Sequence, residues 1–310
     1  MLQQGIACGF ATALIGIVAQ AASHPPRLVD FHTDADMVEV GATVLDGQDR
    51  VIHGLTQRDF RLFEDGVEQT VQHFGEEDVP VSLAIVFDVS GSMSAQMADA
   101  RAALASLLRT SNPEDEFCLI TFADRPEIAV PWTSSQGDIG ERVLYARSNG
   151  RTALLDAVQL GMGELRKRRN PRRAMAIFSD GGDNHSRVSE ASLLRMLEEA
   201  DIQVYAVGLP DPNVRWVRPA EEVVAGPNLL GELCEHGGGR YFPVEGGRDL
   251  RKAADRVGEE IRSQYVLAYA PSRLAEDGKF HRLQVRVRRQ PGGPRMTVRS
   301  RRGYRAPGNF

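Results

Sequence analysis

The sequence predicts an α/β protein: a doubly wound, mostly parallel sheet with helices on both faces, flanked at each end by β-rich segments. Three observations lead there. Between residues 81 and 262, apolar runs of strand length alternate with segments of helical period, the mark of parallel strands joined by crossover helices. The first run, Val81-Ser82-Leu83-Ala84-Ile85-Val86-Phe87, is apolar almost throughout, as a strand covered on both faces must be. Before and after this body, polar and apolar residues alternate with period two, which suits antiparallel strands buried on one face.

Taken in order, the chain opens on a segment with no Asp, Glu, Lys or Arg before Arg27 and a small or apolar run from Ile6 to Val18. Ala19-Gln20-Ala21 fits the small-x-small rule of a cleaved export signal, so residues 1–21 read as a signal peptide. Left uncleaved, the segment is near the lower length limit for a membrane span. Residues 27–79 then read as a β-rich flank. Val38 to Val44 alternates, Asp46-Gly47 signals a turn, Phe60 to Gly66 gives a second strand and turn, and Val67 to Phe74 a third strand.

Residues 80–264 form the α/β body. After the first strand, Met97 to Leu108 reads as a helix and Glu116 to Phe122 as a strand. Thr152 to Lys167 is an amphipathic helix with Leu155, Val158, Met162 and Leu165 on one face. Ala174 to Phe178 (strand), Glu190 to Ala200 (helix) and Ile202 to Val207 (strand) follow. Leu229 to Glu235 is a shorter helix, Tyr241-Phe242 a short strand and Leu250 to Arg262 the last helix. Residues 265–310 return to β structure. Tyr265 to Tyr269 starts it, and Lys279 to Arg288 and Met296 to Arg302 alternate on either side of Pro291-Gly292-Gly293-Pro294. The two flanks are expected to pack as one module.

Composition narrows the function classes. With 42% hydrophobic and 25% charged residues the chain is an ordinary globular protein, and a formal net charge of -5 argues against nucleic acid as a partner. Arg166-Lys167-Arg168-Arg169 with Arg172-Arg173 is basic, and reads as a solvated helix terminus complementing the helix dipole. Cys8 lies in the signal segment. Cys118, in a strand, and Cys234, in a helix, read as buried thiols rather than a bridge.

Chemistry concentrates at the end of the first strand of the body. Asp88-Val89-Ser90-Gly91-Ser92 supplies one carboxylate and two hydroxyls, hard oxygen donors without nitrogen or sulfur, which suit Mg²⁺ or a similar hard cation. Loops after parallel strands share one edge of the sheet, where ligands bind. Asp180, in Phe178-Ser179-Asp180-Gly181, follows another strand, and Thr152 opens a helix just after Asn149-Gly150. All five residues are therefore expected at one edge.

In this order and on these elements, Asp88, Ser90, Ser92, Thr152 and Asp180 resemble the metal-ion-dependent adhesion site of the von Willebrand factor type A domain. The resemblance implies direct ligation by Ser90 and Ser92, ligation by Thr152 in the ligand-competent state, and Asp88 and Asp180 supplying charge, often through water. It also implies an Asp or Glu of a partner protein completing the shell. Gly54-Leu55-Thr56 and Asp59 to Gly66, with Ile261 to Tyr269, Gly278 to Arg282 and Arg302-Gly303-Tyr304, are similar to the two ends of the related domain of acidobacterial proteins.

The function expected is an exported, non-enzymatic binding module. A divalent cation (Mg²⁺, with Mn²⁺ or Ca²⁺ as alternatives) captures an acidic side chain of a partner, at the cell surface, in the periplasm or outside the cell. A membrane enters only if residues 1–21 stay attached. One alternative is a metal-independent structural component of an envelope assembly. The other, a hydrolase using Ser90 or a metal-bound water, lacks a base beside the serines and the Gly-x-Ser-x-Gly elbow. Near the site, Asp183 is expected as a solvated turn carboxylate or an orienting group, and His185 as a bystander.

Overall fold

The computed structural model describes residues 37–76, 78–209, 220–244, 247–271, 277–288 and 295–306. The signal segment, the first residues of the N-terminal flank and the Pro291–Pro294 turn lie outside the described residues. Strands β1 (Val38–Leu45), β2 (Phe60–Glu64), β3 (Val67–Gln69) and β4 (His73–Glu76) precede the body. The body runs through β5 (Val81–Asp88), α1 (Met97–Arg109), β6 (Glu116–Phe122), β7 (Pro126–Thr133) and α2 (Gln136–Leu144). It continues with α3 (Leu154–Leu165), β8 (Arg172–Ser179), α4 (Glu190–Glu199), β9 (Gln203–Gly208), α5 (Ala220–His236), β10 (Tyr241–Pro243) and α6 (Gly247–Arg262). Four strands follow: β11 (Tyr265–Tyr269), β12 (Phe280–Val287), β13 (Thr297–Ser300) and β14 (Gly303–Arg305).

The apolar run of β5 explains the centre of the molecule. Every residue from Val81 to Asp88 is buried, because alternate side chains enter two different cores. Val81, Leu83, Ile85 and Phe87 pack with α1, α2 and α6, whereas Ala84 and Val86 pack with α3, α4 and α5. The six-stranded sheet has the order β10-β9-β8-β5-β6-β7. All its neighbours are parallel except β6 and β7. This is the predicted mostly parallel sheet with helices on both faces.

Strands from the two ends of the chain interleave in two further sheets, β13-β1-β11-β4 and β14-β12-β2-β3, with antiparallel pairing throughout. Val40, Ala42, Val44, Leu62, Tyr265, Leu267 and Tyr269 share their core. One sequence expectation needs correction. The single strand from Val67 to Phe74 is two, β3 and β4, which belong to different sheets. The alternating segments on either side of Pro291–Pro294 are antiparallel strands as expected, β12 pairing with β2 and β14, and β13 with β1. Alternation reports one buried face and not which strand lies alongside.

The flank sheets join the body at the amino-end edge of its strands. β11 starts only two residues after α6, and Arg172 at the head of β8 donates to the carbonyls of Arg262 at 2.5 Å, Gln264 at 3.2 Å and Ile261 at 3.3 Å. The guanidinium thus caps the last turn of α6, whose carbonyls have no partner in the helix. Arg166, Lys167 and Arg169 are exposed as a solvated helix terminus would be, but Arg172 is buried and Arg168 pairs with Glu116 and stacks on Trp132, so part of the basic cluster is structural. Gly258 lets α6 approach α1, since a Cβ there would meet Thr110 Oγ1 at 2.0 Å. Cys118 and Cys234 are buried free thiols, and burial raises the pKa of both. No helix among the described residues is long and apolar enough to cross a membrane.

Candidate metal centre

The chain leaves β5 for β6 on one side and returns to β8 on the other, so the loops after β5 and β8 diverge over a crevice at the carboxyl-end edge. Asp88 ends β5. Its neighbour across the register is Ser179, because Phe87 pairs with Phe178, and Asp180 follows at once. Strand pairing alone therefore brings the two carboxylates together.

Asp88 is 0% exposed. Its Oδ2 accepts from Ser179 Oγ at 2.6 Å and its Oδ1 from the Ser90 amide at 2.8 Å. Burial first, and then the charge of Asp180, push its pKa up to about 7, against the help of these hydrogen bonds. Ser90 is buried, and its Oγ lies 3.1 Å from Ser92 Oγ. The two hydroxyls converge on one spot beside a carboxylate crowded by a second one. A cation there offsets the repulsion and takes oxygen donors only, so the residues present suit a hard divalent ion. Among the described residues no group of three or more His, Cys, Asp or Glu side chains is placed to hold a metal. This centre has two carboxylates and depends on hydroxyls for the remainder.

Thr152 is buried two residues before α3, on a loop tied to the first: Gly91 N donates to Gly150 O at 3.0 Å and Asn149 N to Val89 O at 2.9 Å. Gly150 has φ +85, and a Cβ on it would stand 3.0 Å from the Asp124 carboxylate, so both the turn and its neighbour demand glycine. The structure thus gathers Asp88, Ser90, Ser92, Thr152 and Asp180 on adjoining loops of one edge.

Of the residues that hold these loops, sequence reasoning considered only Asp183, as the orienting alternative to a solvated carboxylate. Ser179 holds Asp88. Asn184 accepts from the Thr152 amide at 3.0 Å through Oδ1, while the amides of Asn184 and His185 donate to Thr152 O at 2.9 and 3.0 Å. Asp183 is half-buried and is not a solvated turn carboxylate: its Oδ1 accepts from the Leu154 amide at 2.9 Å and from Ser186 Oγ at 2.6 Å, capping α3 from another loop. Burial raises its pKa above the ordinary carboxylate range. Asp156 answers from α3, its Oδ1 accepting from the Arg187 and Val188 amides at 2.9 and 3.0 Å. The register of β5 on β8 was the one sequence signal for Ser179; the clamp spans some thirty residues and left none. His185 is exposed, with Nδ1 3.4 Å from Arg151 Nη1.

Residues 83–182 match the family model of the von Willebrand factor type A domain. No curated protein matches the chain. Among solved structures, a von Willebrand factor type A protein from Catenulispora acidiphila is similar over 87% of this chain and 74% of its own, at 11% identity and a TM-score of 0.50. The BatB protein of Bacteroides thetaiotaomicron aligns over 58% of this chain and 98% of its own, at 21% identity and a TM-score of 0.48. The von Willebrand factor domain of the type V pilus tip protein Mfa5 from Porphyromonas gingivalis aligns over 60% and 96%, at 10% identity and a TM-score of 0.49. The family match and the observed sheet and helices together support a von Willebrand factor type A domain in the central part of this chain.

Proposed function

We propose that this chain is an exported, non-enzymatic interaction module in which Asp88, Ser90, Ser92, Thr152 and Asp180 hold a divalent cation that captures an acidic side chain of a partner protein. The observation that carries the reading is the buried Asp88 carboxylate beside Asp180, with the Ser90 and Ser92 hydroxyls 3.1 Å apart on the same edge. Ser90, Ser92 and Thr152 are neutral donors. Two carboxylates then only balance a doubly charged ion, which stays electrophilic toward one more carboxylate. Mg²⁺ is the first choice of ion, with Mn²⁺ or Ca²⁺ also matching the donors.

The same geometry disfavours a hydrolase. Nucleophilic serine needs a base in hydrogen-bond reach. The side-chain neighbours of Ser90 Oγ are the Ser92 hydroxyl and the Asp88 carboxylate, whose oxygens already accept from Ser179 Oγ and the Ser90 amide, and His185 faces Arg151. Export rests on the Ile6–Val18 run and Ala19-Gln20-Ala21.

Calorimetric titration of Mg²⁺ into the chain, beside Asp88→Asn and Ser90→Ala, tests the centre. Saturable binding lost in Asp88→Asn and weakened at least about tenfold in Ser90→Ala is expected, a loss near 1.4 kcal/mol. Equal binding by all three proteins would sink the reading. Partner capture that survives both chelator and Asp88→Asn would favour a metal-independent assembly role instead.

A further inference from the structure

The loops that surround the candidate centre differ in charge from the loop that forms it. From Val89 to Gln96 there is no charged side chain, only hydroxyls and small or apolar groups. Among the described residues, three neighbouring loops at this edge carry exposed arginines: Arg125 after β6, Arg147 and Arg151 before α3, and Arg187 after β8. Among the described residues none of the four makes an ion pair with a carboxylate. At the opposite edge, by contrast, Arg240 and Arg262 face Glu260 and Asp115.

The carboxylates nearby are already engaged by backbone. Asp124 is exposed, but its Oδ1 accepts from the Arg151 amide at 2.9 Å. Asp156 and Asp183 accept from the amides of the facing loop and helix. The loops are also fastened to the centre: Ser148 Oγ reaches Ser94 Oγ at 3.2 Å, and Ala153 N reaches Ala123 O at 2.9 Å. The loops that carry these arginines are therefore held beside the candidate centre, and exposed charges there act on a charged partner through water without direct contact.

We propose that the partner presents an acidic segment rather than one isolated acidic residue: one carboxylate meets the cation, and further carboxylates meet Arg147, Arg151 and Arg187. This deepens, and rests on, the cation-bridged reading above. A lone carboxylate would leave the arginines unanswered. A run of Asp or Glu answers them and gains association rate from their field. Nucleic acid carries the same sign of charge, but the chain's net charge of -5 opposes a long polyanion that reaches beyond this edge.

The test uses the intact chain and two synthetic peptides on a Gly-Ser frame, one with a single Asp and one with several in a row. In Mg²⁺ at about 50 mM salt the multiply acidic peptide should bind at least about tenfold tighter, an advantage that fades toward about 500 mM as the charges are screened. Combining Arg147→Gln, Arg151→Gln and Arg187→Gln should reduce the advantage to about twofold, with Mg²⁺ affinity unchanged or raised, because removing positive charge near a cation cannot repel it. Equal, Mg²⁺-dependent binding of both peptides overturns this inference and leaves the cation reading intact. Multiply acidic peptide bound equally in chelator, and lost in the triple variant, keeps the arginine surface and overturns the cation reading. A single-stranded oligonucleotide of equal charge that outcompetes the peptide reassigns the surface and overturns the proposal.

Discussion

At the amino-end edge of the central sheet, the buried carboxylates Glu260 and Asp115 meet guanidinium groups; at the carboxyl-end edge, the buried Asp88 meets hydroxyls and an amide. Glu260 of α6 accepts from Arg240 at 3.0 Å, whose other nitrogen reaches Asp49 of the flank at 2.6 Å. Asp115 pairs with Arg262 and accepts from the Val81 amide at 3.0 Å. At the opposite edge Asp88 has Ser179 and Ser90 for partners and Asp180 for a neighbour, so negative charge accumulates there. One edge is balanced from within and fastens the flanks to the body. The other sets two carboxylates side by side among hydroxyl and amide donors. On the function proposed above, stability and binding fall at opposite ends of the same strands.

The largest effect expected from disturbing this contrast is at the balanced edge. Arg240→Ala leaves Glu260, 1% exposed, without its cation and should lower stability by about 3–5 kcal/mol, read by urea unfolding. Next comes the clamp on Thr152. Asn184→Ala removes the acceptor of a buried amide and should cost about 1–3 kcal/mol, with weaker Mg²⁺ binding by calorimetry. Asn184→Asp, which keeps the acceptor, should restore most of both. Full Mg²⁺ affinity in Asn184→Ala would show that Thr152 needs no such support.

At the cation edge the sign reverses. Asp88→Asn should make the chain more stable in chelator by about 1 kcal/mol above neutral pH, the usual direction when a binding site is dismantled. In wild type the raised Asp88 pKa means that the metal-free folded state keeps a proton which the unfolded chain has already lost. Its stability therefore falls as pH climbs from about 4 through about 7, and Asp88→Asn should flatten that slope. A slope shared by both proteins would place the charge strain elsewhere.

The smallest effect lies in the flanks. Burial pulls the His281 pKa down, but hydrogen bonds to Asp65 and Asp277 outweigh it and the net shift is upward. A raised histidine stabilises fully below its unfolded pKa, and that contribution is lost as pH rises through the folded value. His281→Gln should therefore cost stability at pH 5 and very little at pH 9, measured by thermal unfolding at both.

How much of this could be read from residues alone depended on how each segment is buried. Glu116–Phe122 and Tyr265–Tyr269 have the bounds expected, because strands buried nearly throughout announce themselves by composition. β7 and α2 were not anticipated. β7 is an edge strand containing Pro126 and Pro131, with two register shifts against β6 and no buried face to set a period. α2 is nine residues long and contains Gly137 and Gly140. α5 starts at Ala220 rather than at the expected Leu229 and continues through Gly226-Pro227, residues that disfavour a helix interior. At the candidate centre the legible part was the donors, clustered beside strand ends. Their supports, Ser179 at the end of β8 and Asp183 and Asn184 in the loop after it, are ordinary residues whose roles exist only once β5, α3 and β8 are assembled.

The position of β1 has a consequence for the order in which the molecule can be completed. Residues 38–45 emerge early, yet both strands beside them, Tyr265–Tyr269 and Thr297–Ser300, are more than two hundred residues away. Until those are delivered, Val40, Ala42 and Val44 have only part of their native core, from Phe60, Leu62 and Val71, and neither of their strand partners. Closing so long a loop is slow, and it comes after the local β–α units of the body can already form. The first strand made is therefore among the last to be seated, and a nascent chain interrupted anywhere before Thr297 keeps an apolar strand waiting at its own beginning.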